Sequence, residues 1–245
     1  MMSDAFTDAW RTIAPARGNP HGPLPVLLVL LTVVTGLVDA FSYLELGHVF
    51  VANMTGNVVF LAFALGGTPG FVWWASILAI IAFSVGALIG GRIKWVYGGH
   101  RGRHLLVAAA IQAFIFAAAF VVALLAPRPY DNITTAILIA ILGAGMGSQN
   151  AAARGLAVPD LTTTVLTLTL TGISADSRLA GGESSKIGRR LVSILSMFAG
   201  ALVGIALINL GLAPWTVFVA VLLLVVVMTV SGVSARSAAP WTERR

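Results

Sequence analysis

The chain has 245 residues, a formal charge of +6, 58% hydrophobic residues and only 10% charged ones. That mean hydropathy reaches +0.94, with charge far below the roughly 25% of a soluble domain, excludes an ordinary water-soluble fold. The absence of cysteine excludes disulfides and thiolate metal sites and leaves the redox compartment open.

Apolar stretches of about 20 residues recur along the chain, each long enough to cross a bilayer. The expected class is an all-α polytopic membrane protein. Residues 1 to about 23 are polar and contain Pro and Gly, which predicts a flexible N-terminal tail. Apolar segments then lie near 24–45, 49–66, 70–92, 105–126, 133–153, 160–174, 190–210 and 214–233. Together, 24–233 read as a single transmembrane domain, with a second short tail over 234–245. The first segment has no small-residue cleavage site after it and runs on into Asp39 and Tyr43. It reads as a retained helix, not a signal peptide.

In that helix Thr32, Thr35, Asp39 and Ser42 recur at spacings of three and four, giving one polar stripe. An acid near the centre of a membrane helix costs about 2.5–3.5 kcal/mol, so Asp39 is expected to face other protein or trapped water. Two readings follow. Asp39 is a proton- or cation-responsive acid lining a cavity, or it accepts hydrogen bonds from backbone amides and holds the packing together.

The second segment opens with Val49-Phe50-Val51-Ala52-Asn53-Met54-Thr55-Gly56-Asn57. Such a polar run survives at membrane depth only against protein or a cavity. Asn53, Thr55, Gly56 and Asn57 would start a short helix whose unpaired N–H groups and partial positive charge suit an anion or polar ligand. Asn or Thr could instead cap the helix, and Gly56 would admit a neighbouring helix closely. Glu45 and His48, at the outer end of the first helix, are placed to gate access. Further on, Gly86-Ala87-Leu88-Ile89-Gly90 carries the small-residue spacing of close helix packing. His100 and His104 flank Arg101 and Arg103, whose charge argues against a metal there.

In the second half Gly143, Gly147, Asn150 and Arg154 share a helical face, with Ser148 and Gln149 beside it. Gln149 and Asn150 offer several donors and acceptors, suited to a polar substrate or to hydrogen bonds between helices. Arg154 and Asp160 bracket Pro159; Arg154 pairs with Asp160 or snorkels to the interface. Thr162, Thr163, Thr164, Thr167, Thr169 and Thr171 then make a threonine-rich segment. Thr164, Thr167 and Thr171 would share a helical face, although the alternation from Thr167 also reads as a strand. Gly200-Ala201-Leu202-Val203-Gly204 repeats the small-residue spacing.

The basic residues sit in short loops and tails, which speaks for membrane orientation and against nucleic acid. Their clusters are Arg11/Arg17, Arg92/Lys94/Arg101/Arg103, Arg178/Lys186/Arg189/Arg190 and Arg236/Arg244/Arg245. The positive-inside rule places all four in the cytoplasm. Three apolar segments separate the first cluster from the second, and three separate the second from the third. An odd number of crossings cannot return the chain to one side. Segments 49–66 and 160–174 are the shortest and most polar; each offers about 11–12 helical residues, roughly 17 Å at 1.5 Å per residue. The expectation is therefore six full helices plus two half-membrane segments, with both termini cytoplasmic.

The halves, about 24–126 and 133–233, also read as repeats. Shifted by 107 residues, Val51, Thr55, Val58 and Leu61 fall on Val158, Thr162, Val165 and Leu168. Ser76-Ile77-Leu78 then matches Ser193-Ile194-Leu195, and the Gly86–Gly90 run matches Gly200–Gly204. With three crossings per half, the second copy is inverted, an architecture common among secondary transporters.

Gly36-Leu37-Val38-Asp39-Ala40, the Phe50–Asn57 run, Gly147-Ser148-Gln149-Asn150 and the threonine run carry a resemblance. Over about 24–233 the chain resembles the YoaK-type family, domain of unknown function 1275. The resemblance implies a bacterial inner-membrane protein with about six transmembrane helices, and implies no substrate or mechanism. From the residues, the expected function is a secondary transporter or channel-like permease for a small polar or anionic solute. Its candidate binding residues are Asp39, Asn53, Thr55, Gly56, Asn57, Gln149, Asn150, Thr163 and Thr164, with no cofactor implied. The lipid bilayer is the expected partner and a second copy of the chain a candidate one. The alternatives are an intramembrane enzyme, for which no nucleophile–base pair, metal-ligand set or phosphate loop is visible, and a non-catalytic partner or sensor.

Overall fold

The structure, a computed structural model, describes residues 2–15, 18–161, 163–164, 166–177, 180–182 and 186–243. Thr162 and Val165 of the repeat alignment, and Arg17, Arg178, Arg244 and Arg245 of the basic clusters, lie outside the described residues. The helices are α1 (Met2–Ile13), α2 (Leu24–Glu45), α3 (Met54–Leu65), α4 (Trp73–Tyr97) and α5 (Arg101–Leu125). They continue with α6 (Asn132–Leu156), α7 (Leu166–Ala175), α8 (Ile187–Asn209) and α9 (Ala213–Ser234). Six of them, α2, α4, α5, α6, α8 and α9, are long and apolar enough to cross a membrane. At 12 and 10 residues, α3 and α7 are about 18 Å and 15 Å long, well short of the hydrocarbon thickness.

Local chemistry sets the helix ends. Asp131 opens α6 by accepting from the Thr134 N–H at 2.8 Å, and hydrogen bonds from the Thr134 hydroxyl and then its N–H hold the carboxyl below the usual carboxylate range. Just before it, Tyr130 donates to the Ala123 carbonyl at 3.0 Å, and burial pushes its hydroxyl up to about 12. At the far end of α6, Ala157 adopts φ 50° and Pro159 follows, so the helix cannot continue.

Two expectations need correction. The first 23 residues are not an irregular tail throughout, because Met2–Ile13 form α1, packed on α8. Thr12 is buried and Asp8 accepts from the Arg189 N–H at 3.0 Å, while Phe6, Trp10 and Ile13 form an exposed stripe. In the threonine run the helical reading holds for Thr167, Thr169 and Thr171, which lie in α7, and the strand reading does not. The half-helix does not extend over Thr163 and Thr164, which lie in a bend before α7 (Leu166–Ala175).

The long helices alternate in direction. Gly36 of α2 meets Met197 and Ala201 of α8, and Gly200 meets Val33 and Leu37, so these two helices run parallel. Gly86 and Gly90 of α4 meet Ala144 and Ser148 of α6, again parallel. Gln112 and His104 of α5 lie against Gln149 and Gly155 of α6, and Gly102 lies against Ser234 of α9. Thus α5 runs opposite to both α6 and α9. Arg101 bridges the Leu156 carbonyl (2.6 Å) and His21 Nδ1 (3.2 Å), placing the end of α6 beside the start of α2. Lys94, Arg101, Arg103, Arg154, Arg189 and Arg236 therefore share one end of the bundle.

Close backbone approach makes the two parallel pairs. A Cβ at Gly86 would overlap the Ala144 carbonyl and one at Gly147 the Phe83 carbonyl; Gly36 and Gly200 stand likewise against Met197 and Val33. These are the packings that small residues permit between membrane helices. Burial separates inner from outer helices: 72% of the most apolar stretch of α2 and 61% of that of α6 is buried, against 28–39% in the other four.

Candidate functional site

The polar stripe of α2 is largely satisfied within its own helix. The Thr32 and Thr35 hydroxyls donate one turn back, to Leu28 (2.8 Å) and Leu31 (3.0 Å), and Ser42 donates to the Asp39 carbonyl at 3.3 Å. Asp39 differs. Its Oδ1 accepts from the N–H groups of Val51 (3.1 Å) and Ala52 (2.9 Å), across the loop that turns back after α2. The side chain is 5% exposed, and Oδ2 has no hydrogen-bond partner among the described residues.

Asn57 clasps the same loop from the other side. Its Oδ1 accepts from the Phe50 N–H at 2.9 Å and its Nδ2 donates to the Phe50 carbonyl at 2.6 Å. With no exposed surface at all, this amide serves the loop as a paired strand would. Asn53 stands at the start of α3 but is exposed and makes no side-chain cap, and Thr55 is exposed too. The capping role open to Asn53 is therefore not used. At Gly56 a side chain would strike the Phe50 ring, which stacks on Tyr43 at 5.1 Å and tilts against Phe60 at 5.5 Å. His48 donates from Nδ1 to the Gly70 carbonyl at 2.8 Å, tying the loop to the start of α4.

A second group lies one helical turn from Asp39. Gln149 donates to Thr35 Oγ1 at 3.1 Å and to the Leu31 carbonyl at 3.2 Å, and accepts from Gln112 at 2.8 Å. All three side chains are buried, so the network joins α2, α5 and α6 through the apolar interior. Gln112 did not stand out in the sequence. A lone amide in a 25-residue apolar helix was nevertheless the same kind of signal as Asp39.

A third group lies toward the basic end. Asn150 donates to Thr164 Oγ1 at 2.7 Å. Thr163 is buried with its hydroxyl unpartnered among the described residues. Ala157, Asp160 and Thr163 all have positive φ, 50°, 62° and 65°, a concentration of strain that costs about 1–3 kcal/mol per residue. Asp160 pairs with Arg190 at 3.0 Å, not with Arg154, and the same guanidinium reaches Asp176 at 2.8 Å. Arg190 of α8 thus holds Asp160, ahead of α7, and Asp176, just after it, while Arg154 is exposed, as a snorkelling residue would be.

Five of the nine candidate residues, Asp39, Asn57, Gln149, Asn150 and Thr164, thus enter three separate hydrogen-bonded groups. Asn53 and Thr55 are exposed, Gly56 packs on Phe50 and the Thr163 hydroxyl has no partner among the described residues. Two cavities, of about 650 and 310 Å³, open at the basic end. Lys94, Arg101, His104 and Arg154 line the smaller, and neither is lined by any of the nine.

Six membrane-length helices around a buried polar interior define a polytopic membrane protein. A family model described as "Protein of unknown function (DUF1275)" matches residues 27–230, and the chain belongs to that family. It is 34% identical over 152 residues to the "UPF0700 transmembrane protein YoaK" of Bacillus subtilis (strain 168). The match takes in 61% of this chain and 65% of the relative, so the chain spans slightly under two thirds of that curated protein's length. No solved structure matches the chain.

Proposed function

We propose that the chain is a small secondary transporter, or channel-like permease, for a small polar or anionic solute. In this reading it lies in a bacterial inner membrane with both termini cytoplasmic, lipid around it and a second copy as a candidate partner. The two halves are inverted repeats, with α3 and α7 as half-membrane segments. Support comes from packing: α4 on α6 has its counterpart in α2 on α8, α5 on α6 in α9 on α2, and α3 on α4 in α7 on α8. The close-contact glycines follow the same exchange, Gly36 corresponding to Gly147 and Gly86 to Gly200. Inverted repeats with interrupted helices typically bind substrate where those helices meet.

The observation that carries the reading is Asp39 Oδ2, a carboxylate oxygen buried among apolar helices with no partner among the described residues. A buried polar atom left unmatched costs about 1–3 kcal/mol, so its retention asks for a use. A proton, a cation or a solute donor would satisfy it. The positive-φ residues Ala157, Asp160 and Thr163 and the Asn150–Thr164 pair form the counterpart near the other end, and Gln149 links the two levels. Flux in proteoliposomes tests the reading, using small polar and anionic solutes first selected by thermal shift. Solute-dependent proton or ion movement is expected, and Asp39→Asn should remove its ion dependence. Full ion-dependent flux in that variant would end the coupling role, and turnover in detergent without a gradient would favour an enzyme.

A further inference from the structure

The larger cavity is a groove of about 650 Å³ where the end of α4, the first turns of α5 and the last turns of α9 meet. Arg103, Arg236 and Tyr97 are among its polar lining residues, and Leu106, Val107 and Val233 among its apolar ones. Its size falls within the roughly 300–1,000 Å³ of small-molecule sites. None of its lining residues is acidic. Among the described residues neither guanidinium has a hydrogen-bond or ion-pair partner. Three other arginines are engaged: Arg101 on the Leu156 carbonyl, Arg128 on that of Gly211, and Arg190 on two carboxylates.

Charge and apolar surface are also ordered along the groove. On α5 the chain passes from Arg103 to Leu106 and Val107 within about one turn. At the end of α9, Gly232 and Val233 precede Arg236, which lies just past the helix, in the same sense. The charged mouth thus opens at the basic end of the bundle, and the apolar walls descend along two membrane-length helices. We propose that this groove binds an anionic phospholipid. The two guanidinium groups take the phosphate by the charge-assisted, fork-shaped pairing arginine favours, and an acyl chain lies along Leu106, Val107 and Val233. Basic recesses between helices at the cytoplasmic face are suited to such head groups. This site is separate from the transport reading and does not rest on it.

Native mass spectrometry of the delipidated full chain in detergent tests the proposal, with phosphatidylglycerol and phosphatidylcholine offered in equal amounts. Preferential retention of phosphatidylglycerol is expected. Arg103→Ala and Arg236→Ala should each lower it about fivefold, as expected for one basic side chain near an anionic head group. Lysine at either position should restore part of the loss. Arg92→Ala, which removes a charge at the same end but one stacked over Trp95 at 4.4 Å, should leave retention unchanged. Gly232→Phe gives a readout independent of charge. A Cβ there meets only Leu106 Cδ1, at 3.8 Å, so the ring can fill the groove, and it should displace the lipid with both arginines intact. Equal retention of the two lipids, or an equal loss on Arg92→Ala, would overturn the proposal. So would full protection of the groove by glycerol 3-phosphate alone, which would make this a site for free phosphate compounds.

Discussion

Asp39 and Asn57 direct their polar atoms at one short loop, and this gives Asp39 two separable jobs. Oδ1 satisfies two buried N–H groups, whereas Oδ2 satisfies none among the described residues. Asp39→Ala would strand both donors at about 1–3 kcal/mol each, releasing the loop that starts α3. Asp39→Asn retains an oxygen to accept from Val51 and Ala52 while removing the ionisable group. Melting in detergent should therefore fall well below wild type for the alanine variant and stay much closer for the asparagine one. Equal losses would mean that the charge, and not the hydrogen bonds, holds the loop. The sequence made it legible that Asp39, Asn57 and Gln149 would be interior polar groups, because such residues in apolar helices seek protein or water. Their partners were not legible. Val51 and Ala52 lie 12 and 13 residues from Asp39, Thr35 lies 114 from Gln149, and Asp160 lies 30 from Arg190. Only the path of the chain brings each pair together.

At the scale of the helices, two parallel contacts set the geometry, and a single methyl group tests each. Glycine to alanine raises helix propensity by about 1 kcal/mol where the new methyl has room. Gly91 of α4 has nothing within 4 Å of its would-be Cβ, so Gly91→Ala should melt at or slightly above wild type. Five residues back, a Cβ at Gly86 overlaps the Ala144 carbonyl, and at Gly200 it overlaps the Val33 carbonyl. There the methyl drives two backbones apart, with the roughly 1–3 kcal/mol loss of overpacking. Gly86→Ala and Gly200→Ala should melt lower; a rise at both would show that the helix pairs can separate without cost. The long helices were legible because a run of about 20 apolar residues permits little else in lipid. The small-residue spacing at Gly86 and Gly200 likewise marked close packing. The first helix, α1, was not legible by the same criterion. Its length is ordinary but its apolar residues, Phe6, Trp10 and Ile13, recur at spacings of four and three, a surface-helix signature hidden in a polar stretch.

Across the whole molecule, the alternating directions of the six long helices and the location of basic residues make one prediction about the membrane. The starts of α2, α5 and α8 and the ends of α4, α6 and α9 share the end that carries Lys94, Arg101, Arg103, Arg154, Arg189 and Arg236. The α5–α6 loop lies at the opposite end, where Arg128 donates to the Gly211 carbonyl of the α8–α9 connection at 2.7 Å. Loops rich in Lys and Arg stay in the cytoplasm, and α1, docked at the basic end through Asp8, presents Phe6 and Trp10 as a helix resting on a bilayer surface does. With no native cysteine, single cysteines report each loop cleanly. Thr68 and Pro127 should label from outside the cell, and Gly99 and Ala180 only after the membrane is made permeable. Thr68 carries the most information. Placed outside with Gly99 inside, it leaves α4 as a crossing and α3 as an element that enters and leaves on one face. If Thr68 labels only from the cytoplasm, α3 crosses fully, the two halves no longer mirror each other, and the inverted repeat on which the transport reading leans is lost.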